Sequence, residues 1–143
     1  MDTPVARALV QELRRRGHEP IVHGALAEGE RDDWAWACAR AARDVAEGEA
    51  EQGIVCCWTG TGASIAANKV AGVRAALCAD AETARGARTW NDANVLALSL
   101  RLTSQPLLAE ILDGWFATGA SDDPTDRANI DHVGELDSER ARS

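Results

Sequence analysis

A chain of 143 residues suffices for one domain with a single core and is too short for two ordinary ones. With 45% hydrophobic and 27% charged residues it reads as soluble and globular, and no apolar run or leader pattern points to a membrane or to export, so the expected compartment is the cytoplasm. The formal net charge of −8 argues against nonspecific nucleic-acid binding, which needs many Lys and Arg contacts to phosphates.

The first predicted element is a helix over Pro4 to Arg16, with Val5, Leu9, Val10 and Leu13 at helical spacing, Thr3 as N-cap and Pro4 at the first position. Gly17 stops it. The cations Arg14, Arg15 and Arg16 suit the negative end of the helix dipole better than they suit a nucleic acid. A short strand is expected around Ile21 and Val22. A helix capped by Asp32 or Asp33 then runs to about Glu47 and closes at Gly48.

Residues 53–57 form an apolar strand, 62–70 a helix of small residues, and 72–79 a second buried strand. A helix over Glu82 to Trp90, a third buried strand over 94–100 and an amphipathic helix over Pro106 to Phe116 follow. The segment from Gly119 is acidic and poor in large apolar residues, so residues 1–133 are expected as one domain and 134–143 as a loose acidic tail. Strands that alternate with helices and are apolar on both faces imply a parallel sheet in an α/β fold.

The stretch "CCWTGTGAS", residues 56–64, turns from a strand into a helix through Gly60 and Gly62. Glycines there let backbone N–H groups approach an oxyanion, aided by the new helix's dipole. Taken alone the turn reads more readily as tight strand-to-helix packing: it lacks the Gly-Lys-Ser/Thr of a P-loop and the full G-x-G-x-x-G spacing. Of the four cysteines, Cys38, Cys56, Cys57 and Cys78, none forms a C-x-x-C pair, and neither zinc spacing nor a disulfide framework is present.

Cys38, Cys56 and Cys78 are expected as small buried apolar residues. Cys57 could be another, or a redox centre, or a catalytic thiol. It ends its strand at the carboxyl edge of a parallel sheet, where ligands bind. A thiol facing an anion-holding turn ionises more readily, and as a thiolate it can move a proton beside a carbonyl. The turn would stabilise the enediolate so formed.

The blocks "GHEPIVHG", "AARDVAEGEAEQGI", "GIVCCWTGTGASIAANKVAGVRAALCAD" and "ARTWNDANVLALSLR" together resemble the ribose-5-phosphate isomerase B and galactose-6-phosphate isomerase (RpiB/LacA/LacB) family, over about residues 4 to 130. The resemblance implies a three-layer αβα sandwich with a Rossmann-like parallel sheet. It also implies interconversion of an aldose and a ketose through an enediolate, without metal or organic cofactor. Cys57 falls on the family's thiol base, Thr59 on a hydroxyl near the sugar, and Gly60, Thr61 and Gly62 on the loop that holds the enediolate oxygen. Ala63 occupies the position where some members carry a Glu base. Asn91 matches a substrate-contacting Asn, and Asn68 and Lys69 belong to a block that shapes the loop and helix.

Departures from the family pattern are equally specific. Trp90 stands where a His assists ring opening, and tryptophan exchanges no proton at neutral pH. Trp58 replaces a glycine beside the base. Of the phosphate-gripping cluster only Arg127 is kept, with Asp123 and Pro124 at the other two positions, while Arg101 matches an arginine that can help. The family's opening strand has no counterpart, and Met1 aligns near the end of its Asp-His motif. A longer native protein with that strand upstream is therefore expected, and without it neighbouring strand edges are left unpaired.

The expected activity is thus an isomerase of a ribose-5-phosphate-like sugar phosphate or a related sugar, with Trp58, Trp90, Asn91, Arg101 and Arg127 as further substrate contacts. The alternative is a weak or silent sugar-binding subunit paired with a paralogous chain. Family sites built across an interface imply a homodimer or tetramer. His18 is expected as a surface cap residue and His23 as a possible visitor to the site. His132 is expected to be idle, and Trp34, Trp36 and Trp115 to be core or interface anchors.

Overall fold

A computed structural model describes residues 1–143. The elements run α1 (Pro4–Arg15), a 3-10 turn (Gly24–Leu26), α2 (Trp34–Ala46), β1 (Gly53–Cys57), α3 (Thr61–Asn68), β2 (Ala75–Leu77), α4 (Ala81–Asn91), β3 (Val95–Ser99), α5 (Gln105–Phe116) and α6 (Pro124–Arg142). Local chemistry sets the starts: Thr3 Oγ1 accepts from Ala6 N at 3.1 Å, Asp80 from Thr83 N at 2.7 Å, and Ser104 from Leu107 N at 3.2 Å.

The three strands form one parallel sheet in the order β1-β3-β2, with Gly53 opposite Val95 and Cys57 opposite Ser99. Strand side chains alternate between two cores. Leu96 and Leu98, with Ile54 and Cys56, meet α1, α4 and α5. Val55, Cys57, Val95 and Ala97 meet α2 and α3. This is the expected three-layer α/β sandwich. Trp115 anchors the first core fully buried, its indole N–H donating to Gln52 Oε1 at 2.8 Å. Small residues, Ala42, Ala63 and Ala67, let α2 and α3 lie close on the second face.

Three expectations are corrected. No strand forms at Ile21 and Val22; those residues border a cavity of about 1150 Å³, which no strand fills. The same cavity runs beside the outer edge of β1, whose only ladder partner is β3. The second strand is three residues long and half-buried, because it is an edge strand and not a strand enclosed on both sides.

The expected loose tail is the third correction: residues 134–142 continue α6. That helix is started by a cap rather than an apolar stripe, Asp123 accepting from Thr125 N at 2.8 Å with Pro124 at the first turn. It is held to the body by Asp137, which accepts from Gly72 N at 2.8 Å, and by Arg140, which donates to Lys69 O at 3.3 Å. No helix is long and apolar enough to cross a membrane.

Candidate active site

Cys57 is the last residue of β1, 8% exposed, and lines the cavity with Trp58, Thr59, Thr61 and Gly62. The turn after it is fixed on every side. Trp58 O accepts from Ser99 Oγ at 3.1 Å and from Arg101 N at 2.9 Å, and Thr59 Oγ1 shares a hydrogen with Thr61 Oγ1 at 2.7 Å. Gly60 sits at φ 78°, and a Cβ there would lie 2.9 Å from the backbone of Leu98 and Ser99. Only glycine meets both demands.

Because Gly60 is the N-cap of α3, no side chain caps that helix. The N–H groups of Thr61, Gly62 and Ala63 are therefore left without partners, and Ser64 N is the first to close the helix, onto Gly60 O at 3.0 Å. A thiol, a hydroxyl pair and the open N–H groups of Thr61 and Gly62 thus adjoin one cavity, while Ala63 is fully buried. That arrangement can hold an oxyanion next to a group able to carry a proton.

The other thiols are held neutral. Burial pushes Cys38 up to about 12 and Cys78 up to about 11, and burial raises Cys56 as well. All four cysteines are unpaired.

His23 borders the same cavity, yet both ring nitrogens are engaged, Nε2 with Asp44 Oδ2 at 2.6 Å and Nδ1 with Glu30 Oε1 at 3.1 Å. Burial alone would lower its pKa, but the bonds to Asp44 and Glu30 outweigh it and leave it raised. His23 is a structural tie for the loop before α2. His18 stacks on Phe116 at 4.5 Å, and His132 bonds Glu135 at 2.8 Å on an exposed face of α6.

The remaining predicted residues do not line this cavity. Arg101 follows β3 at the carboxyl end of the sheet, exposed and outside any ion pair, beside the turn through its backbone bond to Trp58. Trp90 and Asn91 end α4, and the chain then enters β3 level with Gly53, which donates to Asn94 O at 3.0 Å. They lie at the amino end of the sheet, the length of a five-residue strand from Cys57, roughly 13 Å. Arg127 belongs to the same end, since Ser121 N, just before α6, donates to Thr89 O at 2.9 Å.

Trp90 is 59% exposed with its ring folded over Gly86. Asp123, where the resemblance expects a cation, is the cap of α6. Asn68 and Ala75 exchange two bonds, at 2.9 and 2.8 Å, tying α3 to β2.

One residue at the site was not anticipated. Trp34, expected as a core or interface anchor, is 51% exposed and covers Gly62 with its benzo ring; a Cβ on that glycine would lie 2.9 Å from Trp34 Cε3. Nothing in the local pattern of α2 announces this contact, which joins residues 28 positions apart.

Residues 2–133 match the family described as Ribose/Galactose Isomerase. Ribose-5-phosphate isomerase B of Escherichia coli is 42% identical over 107 residues, 75% of this chain and 71% of that one. Galactose-6-phosphate isomerase subunit LacB of Clostridium acetobutylicum is 42% identical over 101 residues, 71% of this chain and 58% of that one. The structure of Clostridium thermocellum ribose-5-phosphate isomerase B superposes with a TM-score of 0.87 at 35% identity, covering 95% of this chain and 90% of that chain.

Proposed function

The chain belongs to the ribose/galactose isomerase family, and on that premise we propose that it interconverts an aldose and a ketose sugar phosphate, ribose 5-phosphate being the first substrate to try. The observation that carries the reading is the placement of Cys57 on one cavity with the open N–H groups of Thr61 and Gly62 at the start of α3. Cys57 as thiolate takes the proton from the carbon next to the carbonyl, and the electron pair moves onto the carbonyl oxygen. The enediolate oxygen is held by the N–H groups of the turn. The hydroxyl hydrogen passes from the second enediolate oxygen to the first, and the proton on the thiol goes to the former carbonyl carbon, which completes the ketose and restores the thiolate.

In the Thr59–Thr61 pair one hydroxyl donates to the other, so a single hydrogen is left to point at a substrate oxygen. Arg101 supplies a cation at the same end for a phosphate.

Because Trp90, Asn91 and Arg127 stand at the opposite end of the sheet, we infer at least a dimer in which one copy's amino end meets the other's turn. Four unpaired thiols suit a reducing, cytoplasmic setting.

The test is isomerisation in deuterium oxide with ribose 5-phosphate, galactose 6-phosphate and the free sugars. Deuterium is expected at C2 of the true substrate, and Cys57→Ala should slow its appearance by about 10²- to 10⁴-fold. Exchange that persists in that variant removes Cys57 from the base position.

A second reading, a weak sugar-binding subunit, is favoured by the Trp90 ring at the ring-opening position and by the similarity to a galactose-6-phosphate isomerase subunit. It predicts no turnover by the chain alone and turnover on mixing with a paralogous chain.

A further inference from the structure

Three of the four cysteines, Cys38, Cys56 and Cys57, border one cavity, and two of the three face the same way. Cys57 and Cys38 both pack into the core between the sheet, α2 and α3, among Val55, Ala63 and Ala67. Cys56, although adjacent to Cys57 in sequence, turns to the opposite core, as strand alternation requires. Cys78 belongs to that opposite core too, its thiol donating to Ala76 O at 3.6 Å.

The Cys38 thiol donates to Cys56 O at 3.9 Å. That oxygen and the Cys57 nitrogen belong to one planar peptide group, so the Cys38 sulfur lies no more than about 6 Å from the Cys57 backbone nitrogen. Ala42, one turn further along α2 and fully buried, keeps the helix close to the sheet. A disulfide needs side chains that converge from Cα atoms roughly 4–7 Å apart, and these two meet at one peptide group.

Their surroundings divide the roles between them. Cys57 is 8% exposed on a cavity of about 1150 Å³, where a small oxidant has access. Cys38 is 3% exposed, and burial pushes it up to about 12, so it stays protonated and does not compete for the oxidant. Once Cys57 is oxidised its sulfur is the electrophile, and Cys38 is the one other thiol on that face of the sheet.

We propose that Cys57 and Cys38 form a peroxide-sensitive pair in which Cys38 traps oxidised Cys57 as a reversible disulfide. The Cys57 thiolate attacks hydrogen peroxide; an S–O bond forms, the O–O bond breaks, and the second oxygen leaves as hydroxide and takes up the proton that the thiol released. The sulfur has lost two electrons to the peroxide. The Cys38 sulfur then attacks that of Cys57. The S–S bond forms, the S–O bond breaks, and hydroxide departs as water with the Cys38 proton. Two thiols and one hydrogen peroxide give one disulfide and two waters. The linkage spares Cys57 from the irreversible sulfinic acid. It rests on the isomerase reading only for its consequence, the loss of activity while the disulfide holds.

For the test, the full chain and Cys38→Ala are reduced, freed of reductant and treated with hydrogen peroxide. Remaining thiols are alkylated and the peptides mapped by mass spectrometry. Isomerisation of ribose 5-phosphate is followed before oxidation, after it, and after dithiothreitol. The wild type is expected to lose two hydrogens and to yield a peptide joining residues 38 and 57. Its rate should fall about 10²-fold or more and return with dithiothreitol. Cys38→Ala should start within about twofold of the wild-type rate, then gain two or three oxygens on Cys57 and stay inactive. If that variant melts early, the wild-type map decides by itself.

Cys57 sulfinate in the wild type without the 38–57 linkage overturns the proposal. So does a linkage to Cys56, to Cys78 or between chains, or a recovery as full in Cys38→Ala. If the linkage forms and activity persists, Cys57 is not the base and the pair still stands. If the chain turns over no sugar at all, the isomerase reading fails and the map still decides the pair.

Discussion

The two ends of the sheet are built from the same kinds of residue and use them in opposite ways. At the amino end the polar groups answer one another. Arg74 Nε donates to Asp92 O at 2.7 Å, Asn94 Oδ1 accepts from Arg74 N at 2.8 Å, Asn94 Nδ2 donates to Gly72 O at 3.0 Å, and Arg88 donates to Ala93 O. Asp92, the one non-glycine residue with positive φ, is held at 44° inside that network. At the carboxyl end the backbone is as firmly fixed, but the N–H groups of Thr61 and Gly62, one threonine hydrogen and the Arg101 guanidinium are left without partners, and the Cys57 thiol borders the same cavity as the two N–H groups.

Both ends carry residues of the motif "NDAN" or "TGTG" that a sequence reader would mark as functional. The difference teaches that Asp92 and Asn94 hold the fold, while open polar groups gathered on a cavity are left free to meet a ligand.

The comparison breaks most visibly at Gly60. Gly60→Ala forces a left-handed φ on a side chain that meets backbone at 2.9 Å. Stability should fall by about 1–3 kcal/mol and turnover by about 10²-fold, measured by thermal unfolding and by isomerisation rate. An alanine there that leaves both unchanged would mean that the turn is not preorganised.

Whether the two ends cooperate across copies is read by mixing. Cys57→Ala and Asn91→Ala should each be inactive alone, and co-refolded mixtures should regain about a quarter of the wild-type rate, as random dimers with one intact site require. No recovery would confine the site to the carboxyl end of a single chain.

Two arginines outside any ion pair, Arg101 and Arg127, give a finer cut. Arg101→Ala should raise KM for a sugar phosphate about five- to tenfold and leave the free sugar unaffected, an effect that fades with added salt. Arg127→Ala should do the same only if the amino end of another copy reaches the phosphate.

The smallest effect concerns His23, which ties the loop before α2 to Asp44 near the end of that helix. Its pKa is raised in the folded chain, so its contribution to stability is complete below about pH 6.5, the unfolded value, and is lost as pH rises through the folded value. The melting temperature should therefore drop between pH 6 and pH 8 by roughly a few degrees more in the wild type than in His23→Gln. Parallel curves for the two would remove the tie from the account.

Periodicity placed α1, α2, α4, α5 and the two long strands correctly because each has an apolar face that one element alone makes visible. It failed at Ile21–Val22, since a strand is defined by a neighbour to pair with, and those residues border a cavity. It failed for α6 because a good cap and two long-range bonds can order a helix that has one buried residue, Ile130. The site divided in the same way. Cys57, Gly60 and Gly62 could be picked out because they lie within six residues at one strand-to-helix turn, and the family resemblance added Thr59 and Thr61.

The sequence by itself determined the α/β class, the thiol at the end of β1 and the glycine turn that follows it, each a matter of spacing along a few neighbouring residues. Only the tertiary structure decided which of the marked residues share a cavity. It carried Trp90, Asn91 and Arg127 to the far end of the sheet, turned Asp123 into a helix cap, and set Trp34 against Gly62. Contacts between distant residues follow from how the layers pack, and packing of α2 on α3 is possible at that distance only because position 62 has no side chain.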